Sequence, residues 1–386
     1  MNREIESAKG WILYSGIQNS EELNAGGFNS WFDMDGDSYP YLYSEITGYG
    51  ITTLLYLGRR FGDEECLERA VSAAEWLMSS AAHSCGGVKT RRYNDRMAES
   101  DLYSFESEVI YAFDNGMVLY GMANLYKQTK ESKYLEFAVG IADFLIGEMI
   151  TPEGLFFASL NAKTGDREDS PRKWSSQSGS YHAKIALGLV DLFDITKNER
   201  YKNAVLKLCR RCMDFQDGPG RFVTSRADNS THLHPHSYSA EGLLYAGIYF
   251  GEDEFIESAH RAVKWALDNQ CPDGGVPKKF NGEKFIPYYR SDVLAQVLRL
   301  GVVLSDIGKL GEKYLPRLEM LRDKLLAYQF SGKGRQAGGF YYGTALDGLA
   351  RDHINSWCTM FAAQALVMYD DLKIDRETKN RMECFV

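Results

Sequence analysis

Helices that are apolar or small on nearly every side alternate along this chain with helices that are apolar on one face, and a glycine turn follows each second helix. The stretch from His236 to Pro277 displays one whole unit. Its first helix, about Ser237 to Phe250, has the all-round apolar character of a buried helix. A turn at Gly251 leads to the second, about Asp253 to Asn269. There Ile256, Ala259, Val263, Ala266 and Leu267 fall on one face, with Glu257, Arg261, Lys264 and Asp268 opposite. Gly274 and Gly275 close the unit.

The order recurs. Residues 43–62 read as a buried helix with 66–81 as its exposed partner, ending at Gly86-Gly87-Val88. Residues 113–129 pair with 134–149 before Glu153-Gly154-Leu155-Phe156, and 178–196 with 201–216 before Gly218-Pro219-Gly220. Residues 289–308 pair with 314–329 before Gly338-Gly339-Phe340. Two helices remain unpaired: an exposed type over Glu4–Gln18, followed by Gly26-Gly27-Phe28, and a buried type over 353–371. Joined to each other they complete six hairpins with a period of roughly 64 residues. A ring closed in this way also removes the ends that an open solenoid must cap. The expected fold is therefore all-α, an (α/α)6 toroid over residues 1–386 as one domain, with no Pro/Ser-rich linker. Continuous strand patterns are scarce.

In such a ring the buried helices run parallel and their N-termini open on one face, with unsatisfied N–H groups and dipoles pointing there. The helix starts read Tyr43-Ser44-Glu45, Phe113-Asp114-Asn115, Tyr181-His182, His236-Ser237-Tyr238 with Glu241, Tyr289-Arg290-Ser291-Asp292, and Asn355-Ser356-Trp357. Preceding loops add Trp31, Arg91, Arg92, Tyr93, Asp101, Glu106 and Trp174. Asp114 and Glu45 have a plain explanation as an N-cap and a first-turn acid, but four acids at one mouth suggest chemistry. Glu241 lies more than a turn inside an apolar helix, where a carboxylate without a partner is costly and its pKa rises. His232, His234 and His236 form HLHPH; in an extended loop all three share a side, for substrate contact or acid/base work rather than a tight metal motif. Trp31, Tyr181, Trp174, Tyr289 and Trp357 offer faces for stacking on sugar rings.

Composition narrows the class. A net charge of −9 without a basic stripe disfavours nucleic acid. The start lacks the apolar core of a signal peptide, and no apolar run of about 18 residues can span a membrane. Seven scattered cysteines read as reduced thiols, so the expected location is the cytoplasm. Cys209 and Cys212 form a CxxC on an amphipathic helix, best read as packing.

The repeats, with Ser44-Glu45-Ile46-Thr47-Gly48-Tyr49, Phe113-Asp114-Asn115-Gly116 and His236–Leu244, resemble the six-hairpin toroid glycosidase superfamily, in particular uncharacterised members encoded with polysaccharide-biosynthesis enzymes. That superfamily includes unsaturated glucuronyl hydrolases, polysaccharide lyases and N-acylglucosamine 2-epimerases. The resemblance implies the toroid and a carbohydrate substrate, whereas one fold hosts several reactions. The spacing of His236 and Glu241 departs from the 2-epimerase pattern. Hydrolysis needs a proton donor and a second carboxylate, for which Asp114 with Glu241 or Asp292 is the expected pair, with Glu45 and His236 as further candidates. Arg290, Arg91 and Arg92 suit a uronate carboxylate. Tyr181, His182, Tyr238, Asn355 and Trp357 complete the expected substrate contacts. The expected activity is thus glycoside hydrolysis of an acidic oligo- or polysaccharide, without metal or cofactor and with a possible homo-oligomer. The alternatives are a uronate-directed epimerase or lyase using His236 or Tyr238 as base, or a non-catalytic glycan-binding scaffold.

Overall fold

A computed structural model describes residues 2–93, 108–171, 173–345, 347–374, 382 and 384–386. Among these residues twelve α-helices alternate between an inner and an outer layer. The inner helices are α2 (Ser44–Phe61), α4 (Ala112–Thr129), α6 (Ala186–Thr196), α8 (Leu233–Phe250), α10 (Ser291–Asp306) and α12 (Ser356–Lys373). The outer ones are α1 (Arg3–Tyr14), α3 (Glu64–Trp76), α5 (Ser132–Phe144), α7 (Glu199–Met213), α9 (Asp253–Asp268) and α11 (Leu315–Leu326). Each inner helix packs on the next and α12 packs on α2, while α1 packs on α12. The fold is the expected (α/α)6 toroid, closed by the first and last helices. Among the described residues, no helix is long and apolar enough to cross a membrane.

Small residues let the inner helices touch backbone to backbone. A Cβ added at Gly48 would sit 2.8 Å from the Met117 carbonyl carbon, and one at Gly242 only 2.0 Å from the Ala183 carbonyl oxygen. Near that crossing the chain departs from the expected helix over 178–196: Ser180–Ile185 winds as a tighter 3-10 helix before α6 begins. Outer helices α3 and α5 each end in a π-helical turn, Leu77–Ala81 and Leu145–Met149.

The glycine turns lock neighbouring hairpins together. Gly26, Gly86, Gly154, Gly220, Gly274 and Gly338 all have positive φ. A Cβ on Gly26 would strike the Ser72 carbonyl of α3, one on Gly220 the Arg261 carbonyl of α9, and one on Gly338 the Ser7 carbonyl of α1. In four copies a glutamine strengthens the joint. Gln18, Gln216, Gln270 and Gln329 each donate to the carbonyl of their own turn glycine and to a carbonyl on the next outer helix. The Gln329 amide reaches Glu4 of α1, so the same joint that links successive hairpins closes the ring.

Short strands, which sequence periodicity did not reveal, decorate the mouth. They are β1 (Trp31–Asp33), β2 (Tyr41–Tyr43), β3 (Arg91–Tyr93), β4 (Val109–Tyr111), β5 (Ser159–Asn161), β6 (Arg167–Glu168), β7 (Thr231–His232), β8 (Lys279–Phe280), β9 (Phe285–Ile286), β10 (Phe340–Thr344) and β11 (Ala350–Asn355). They pair in the orders β1-β11-β10, β2-β3, β4-β5-β6 and β7-β8-β9. β2, β4, β7 and β11 run straight into α2, α4, α8 and α12, which fixes where each inner helix starts.

At the other end of the ring, Cys384, Phe385 and Val386 are buried in the axis. The Phe385 N–H donates to the Tyr120 hydroxyl of α4 while its ring lies 4.7 Å from the Arg299 guanidinium of α10. α4 and α10 face each other across the ring, so this tripeptide spans it.

Ring closure is testable at one glycine. Gly62 also has positive φ, but open space surrounds its missing Cβ; Gly62→Ala should cost only the left-handed penalty of roughly 1–2 kcal/mol. Gly338→Ala adds a 2.1 Å clash with the Ser7 carbonyl and should cost roughly 3 kcal/mol or more. Urea unfolding of both variants checks this; equal losses would show that the Gly338 joint does not hold the ring.

Candidate active site

The inner-helix N-termini surround a cavity of about 630 Å³. One wall is built around Thr90, which follows the Gly86-Gly87 turn. Its carbonyl accepts the Ser44 N–H at 2.9 Å, its N–H donates to the Val109 carbonyl at 2.9 Å, and its hydroxyl donates to Asp114. A single residue thus ties the start of α2 to the strand leading into α4. Asn115 adds hydrogen bonds to both the N–H and carbonyl of Val88. The result sets Glu45 and Asp114, in the first turns of neighbouring inner helices, together in the cavity lining.

Both acids are nearly buried. Burial pushes the Glu45 carboxyl up from its ordinary range, against the pull of hydrogen bonds from Tyr43 and Tyr49 and the charges of Lys184 and Arg91. The Arg91 guanidinium itself rests 5.0 Å from the Tyr41 ring and 5.1 Å from the Tyr43 ring, a cation–π arrangement. It pairs through β3, where Arg91 stands opposite Tyr43.

The opposite wall is cationic. Arg290, just before α10, donates through its guanidinium to both oxygens of Asp292 and lies over Tyr342 at 4.6 Å. Asp292 is fully buried and also accepts from the Trp357 indole at 2.9 Å and the Val293 N–H at 2.8 Å. Burial opposes its ionisation, but the Arg290 charge and the hydrogen bonds from Arg290 and Trp357 hold its pKa below the ordinary value. Asp292 therefore orients Arg290 and Trp357, which line the cavity, rather than lining it itself. Lys278, not singled out from the sequence, also lines it; its ammonium donates to the Thr344 carbonyl at 2.6 Å. Burial, aided by the Arg290 charge, pushes Lys278 down to about 8. Lys279 and Arg351 extend the same wall, paired with Asp228 and Asp347.

Between the walls, Trp174 meets Tyr181 edge-on at 5.3 Å, and Phe113 lies 4.7 Å from Tyr238. His232 and His234 line the cavity too. Burial lowers both to about 3, so they are neutral at physiological pH.

Several expected mouth residues lie elsewhere, each for a physical reason. The HLHPH segment is not an extended loop. Pro235 sits in the first turn of α8, a position that suits proline, and the helix begins at Leu233. His236 consequently points away from the mouth, accepting from the Phe222 N–H at 3.2 Å and donating to the Ala262 carbonyl at 3.1 Å. Among the described residues, no three His, Cys, Asp or Glu side chains gather as metal ligands. Glu241, one turn deeper, stays below the cavity, where Lys184 stands 2.8 Å from one oxygen and Arg299 donates to the other at 2.6 Å. His182 is fully buried behind the lining, its ring 4.2 Å from that of Tyr181 and 6.1 Å from that of Phe156. Tyr289 braces the glycine turn by donating to Asp273, and Asn355 caps α12 through the Cys358 N–H. Trp31 lies behind the wall, edge-on to Tyr41. Glu45, Asp114, Arg91, Trp174, Tyr181, Tyr238, Arg290 and Trp357 do meet in the lining. Asp101 and Glu106 fall outside the described residues.

Residues 87–218, which hold Arg91, Asp114, Trp174 and Tyr181 but not Glu45, match the family described as Glycosyl Hydrolase Family 88. An uncharacterized protein of Caenorhabditis elegans, B0495.5, is 22% identical over 222 residues, covering 53% of this chain; the chain spans 29% of that relative's length. The cellobiose 2-epimerase of Bacillus thermoamylovorans B4167 superposes with a TM-score of 0.77 at 13% identity, covering 97% of this chain and 100% of that one. The unsaturated glucuronyl hydrolase of Bacillus sp. GL1 superposes at 0.67 and 15% identity, covering 94% and 96%. An unsaturated glucuronyl hydrolase specific for heparin does so at 0.70 and 15%, covering 97% and 99%. These likenesses establish the (α/α)6 fold that such enzymes share.

The position of Glu241 changes what its removal should do. Glu241→Gln leaves Lys184 and Arg299 as uncompensated buried cations, a loss of roughly 3–5 kcal/mol. A thermal melt well below wild type is the expected result; an unchanged melt would show that the pairing is not structural.

Proposed function

We propose that this protein is a glycoside hydrolase acting on uronic-acid-containing oligo- or polysaccharides, with Glu45 and Asp114 as the working carboxylates. The observation that carries the reading is the polarity of the cavity: two nearly buried acids on the α2–α4 wall, and Arg290 and Lys278 on the opposite wall. Burial raises the Glu45 pKa, which suits a proton donor to the glycosidic oxygen. Asp114, oriented by Thr90, takes the part of the second carboxylate. As base it accepts a proton from water while the water oxygen bonds to the anomeric carbon and the leaving oxygen departs with the Glu45 proton; as nucleophile it bonds to that carbon first. The cationic wall offers charge-assisted hydrogen bonds to a sugar carboxylate, and Trp174 and Tyr181 offer aromatic surface to the ring. The Family 88 match over 87–218 and the fold shared with unsaturated glucuronyl hydrolases support the same direction.

Epimerisation is the second reading, favoured by His232 and His234 in the lining and by the fold shared with a cellobiose 2-epimerase. Abstraction of a proton beside a carbonyl works best with a base whose pKa lies near the working pH. Both histidines are held at about 3, which weakens that reading. A lyase faces the same shortage of base.

Uronate oligosaccharides of defined linkage provide the test. Glu45→Gln and Asp114→Asn should each lower kcat/KM for reducing-end release by about 100-fold or more, with melting temperatures close to wild type. Because Glu45 must be protonated to act, kcat/KM should fall as pH rises through its elevated pKa. Deuterium uptake from solvent without chain cleavage would replace this reading with epimerisation, and an ultraviolet-absorbing unsaturated product would replace it with elimination.

A further inference from the structure

Beneath the cavity floor lies an ion cluster that the hydrolytic reading leaves unused. Lys184, Glu241 and Arg299 are completely buried. One carboxylate between two cations leaves an excess positive charge inside the ring when all three are ionised, an arrangement that desolvation makes costly. Its surroundings are specific. The Lys184 ammonium lies 4.9 Å from the Tyr49 ring, 4.5 Å from the Tyr238 ring and 5.0 Å from the Phe361 ring, an aromatic cage suited to a cation. The Tyr49 and Tyr238 hydroxyls are hydrogen-bonded to each other at 3.0 Å. Tyr238 lines the cavity, and Tyr49 stands one turn along α2 from Glu45, whose pKa it helps to lower.

The cluster is pinned from below as well. Arg299 donates to the Gln364 amide oxygen at 3.0 Å, and the same oxygen accepts the Val386 N–H at 3.0 Å. The Gln364 amide nitrogen donates to the Cys384 carbonyl at 2.8 Å. With Phe385 stacked on Arg299, the C-terminal tripeptide braces the cluster at its base.

We propose that Lys184 is a positioning residue for Glu45: held by Glu241 and braced through Arg299, its ammonium keeps a fixed positive charge behind the Tyr49–Tyr238 pair and steadies the Glu45 carboxylate once its proton has left. The inference rests on the reading of Glu45 as the proton donor. When Glu45 gives its proton to the glycosidic oxygen, the bonding electrons stay on the carboxylate, and that new charge is the one Lys184 meets. Mutual attraction works against burial at both groups, lowering the Glu45 pKa and raising that of Lys184; burial outweighs this and the stronger upward pull of Glu241, so Lys184 is lowered to about 8. Around Glu45 the other titratable groups include Tyr41, Tyr43 and Tyr49 of its own segment, Asp114, Arg91, Tyr181 and Tyr238.

Carbon-detected NMR titration of glutamate side chains in the full chain tests this without any substrate. Lys184→Met should raise the Glu45 midpoint by at least about half a pH unit, roughly threefold in proton affinity, and Lys184→Arg should restore it. Linkage makes the coupling reciprocal. Glu45→Gln should therefore lower the Lys184 ammonium midpoint by the same amount, which reads the same quantity should the methionine variant not fold. A cluster that merely supports the fold would lower the melting temperature and leave both midpoints unmoved, and that outcome overturns the proposal. Hydrolysis retained by Glu45→Gln would overturn it too, but with the midpoints still coupled, and this separates failure of the donor assignment from failure of the electrostatic one.

Discussion

Six inner helices that are buried on every side can be satisfied only if each has an inner neighbour on both flanks. That requirement makes ring closure the constraint on which everything else depends. An open array would expose the flank of α2 at one end and of α12 at the other; packing α12 on α2 covers both. The closing joint uses the same parts as the internal ones, a left-handed glycine against a carbonyl of the next outer helix and a glutamine amide bridging the two. Closure also points all inner N-termini one way, which is why acids from separate hairpins line one cavity.

The ring was legible in the sequence because its signal is redundant. Periodic apolar faces and glycine turns repeat, and an unpaired helix at each end implied their union. The mouth strands were not legible, since runs of two to six residues are too short to show alternation. Part of the expected mouth set lies in the lining, and the displacement of His236 and Glu241 has one cause. A residue can be assigned to the mouth from its distance to a helix start, but its direction depends on where that start falls. Beginning α8 at Leu233 rather than near Ser237 carried His236 away from the mouth and left Glu241 below it. Lys278 and Thr90 were missed because nothing local distinguishes a loop lysine or threonine; their importance comes from partners far along the chain, Thr344 and Asp114.

Charge is distributed by depth. At the rim, cations are paired with acids that point them into the cavity, as Asp292 does for Arg290. In the lining, Glu45 and Asp114 face open space where burial makes ionisation of Glu45 harder. Below the floor, Glu241 is fully occupied between Lys184 and Arg299. The same residue type thus stands between two cations at one depth and lines the open cavity at another, separated by the Tyr49–Tyr238 pair.

The buried C-terminal tripeptide has a consequence for traffic. From the Tyr238 floor through Lys184, Glu241 and Arg299 to Phe385, the described residues fill the axis of the ring. Among the described residues the ring is therefore stopped below the cavity, and what enters at the mouth meets no opening along the axis. A molecule occupying the cavity stands in the path of the next one. For the hydrolysis proposed above, release would follow the order in which fragments depart, with the piece nearest solvent going first.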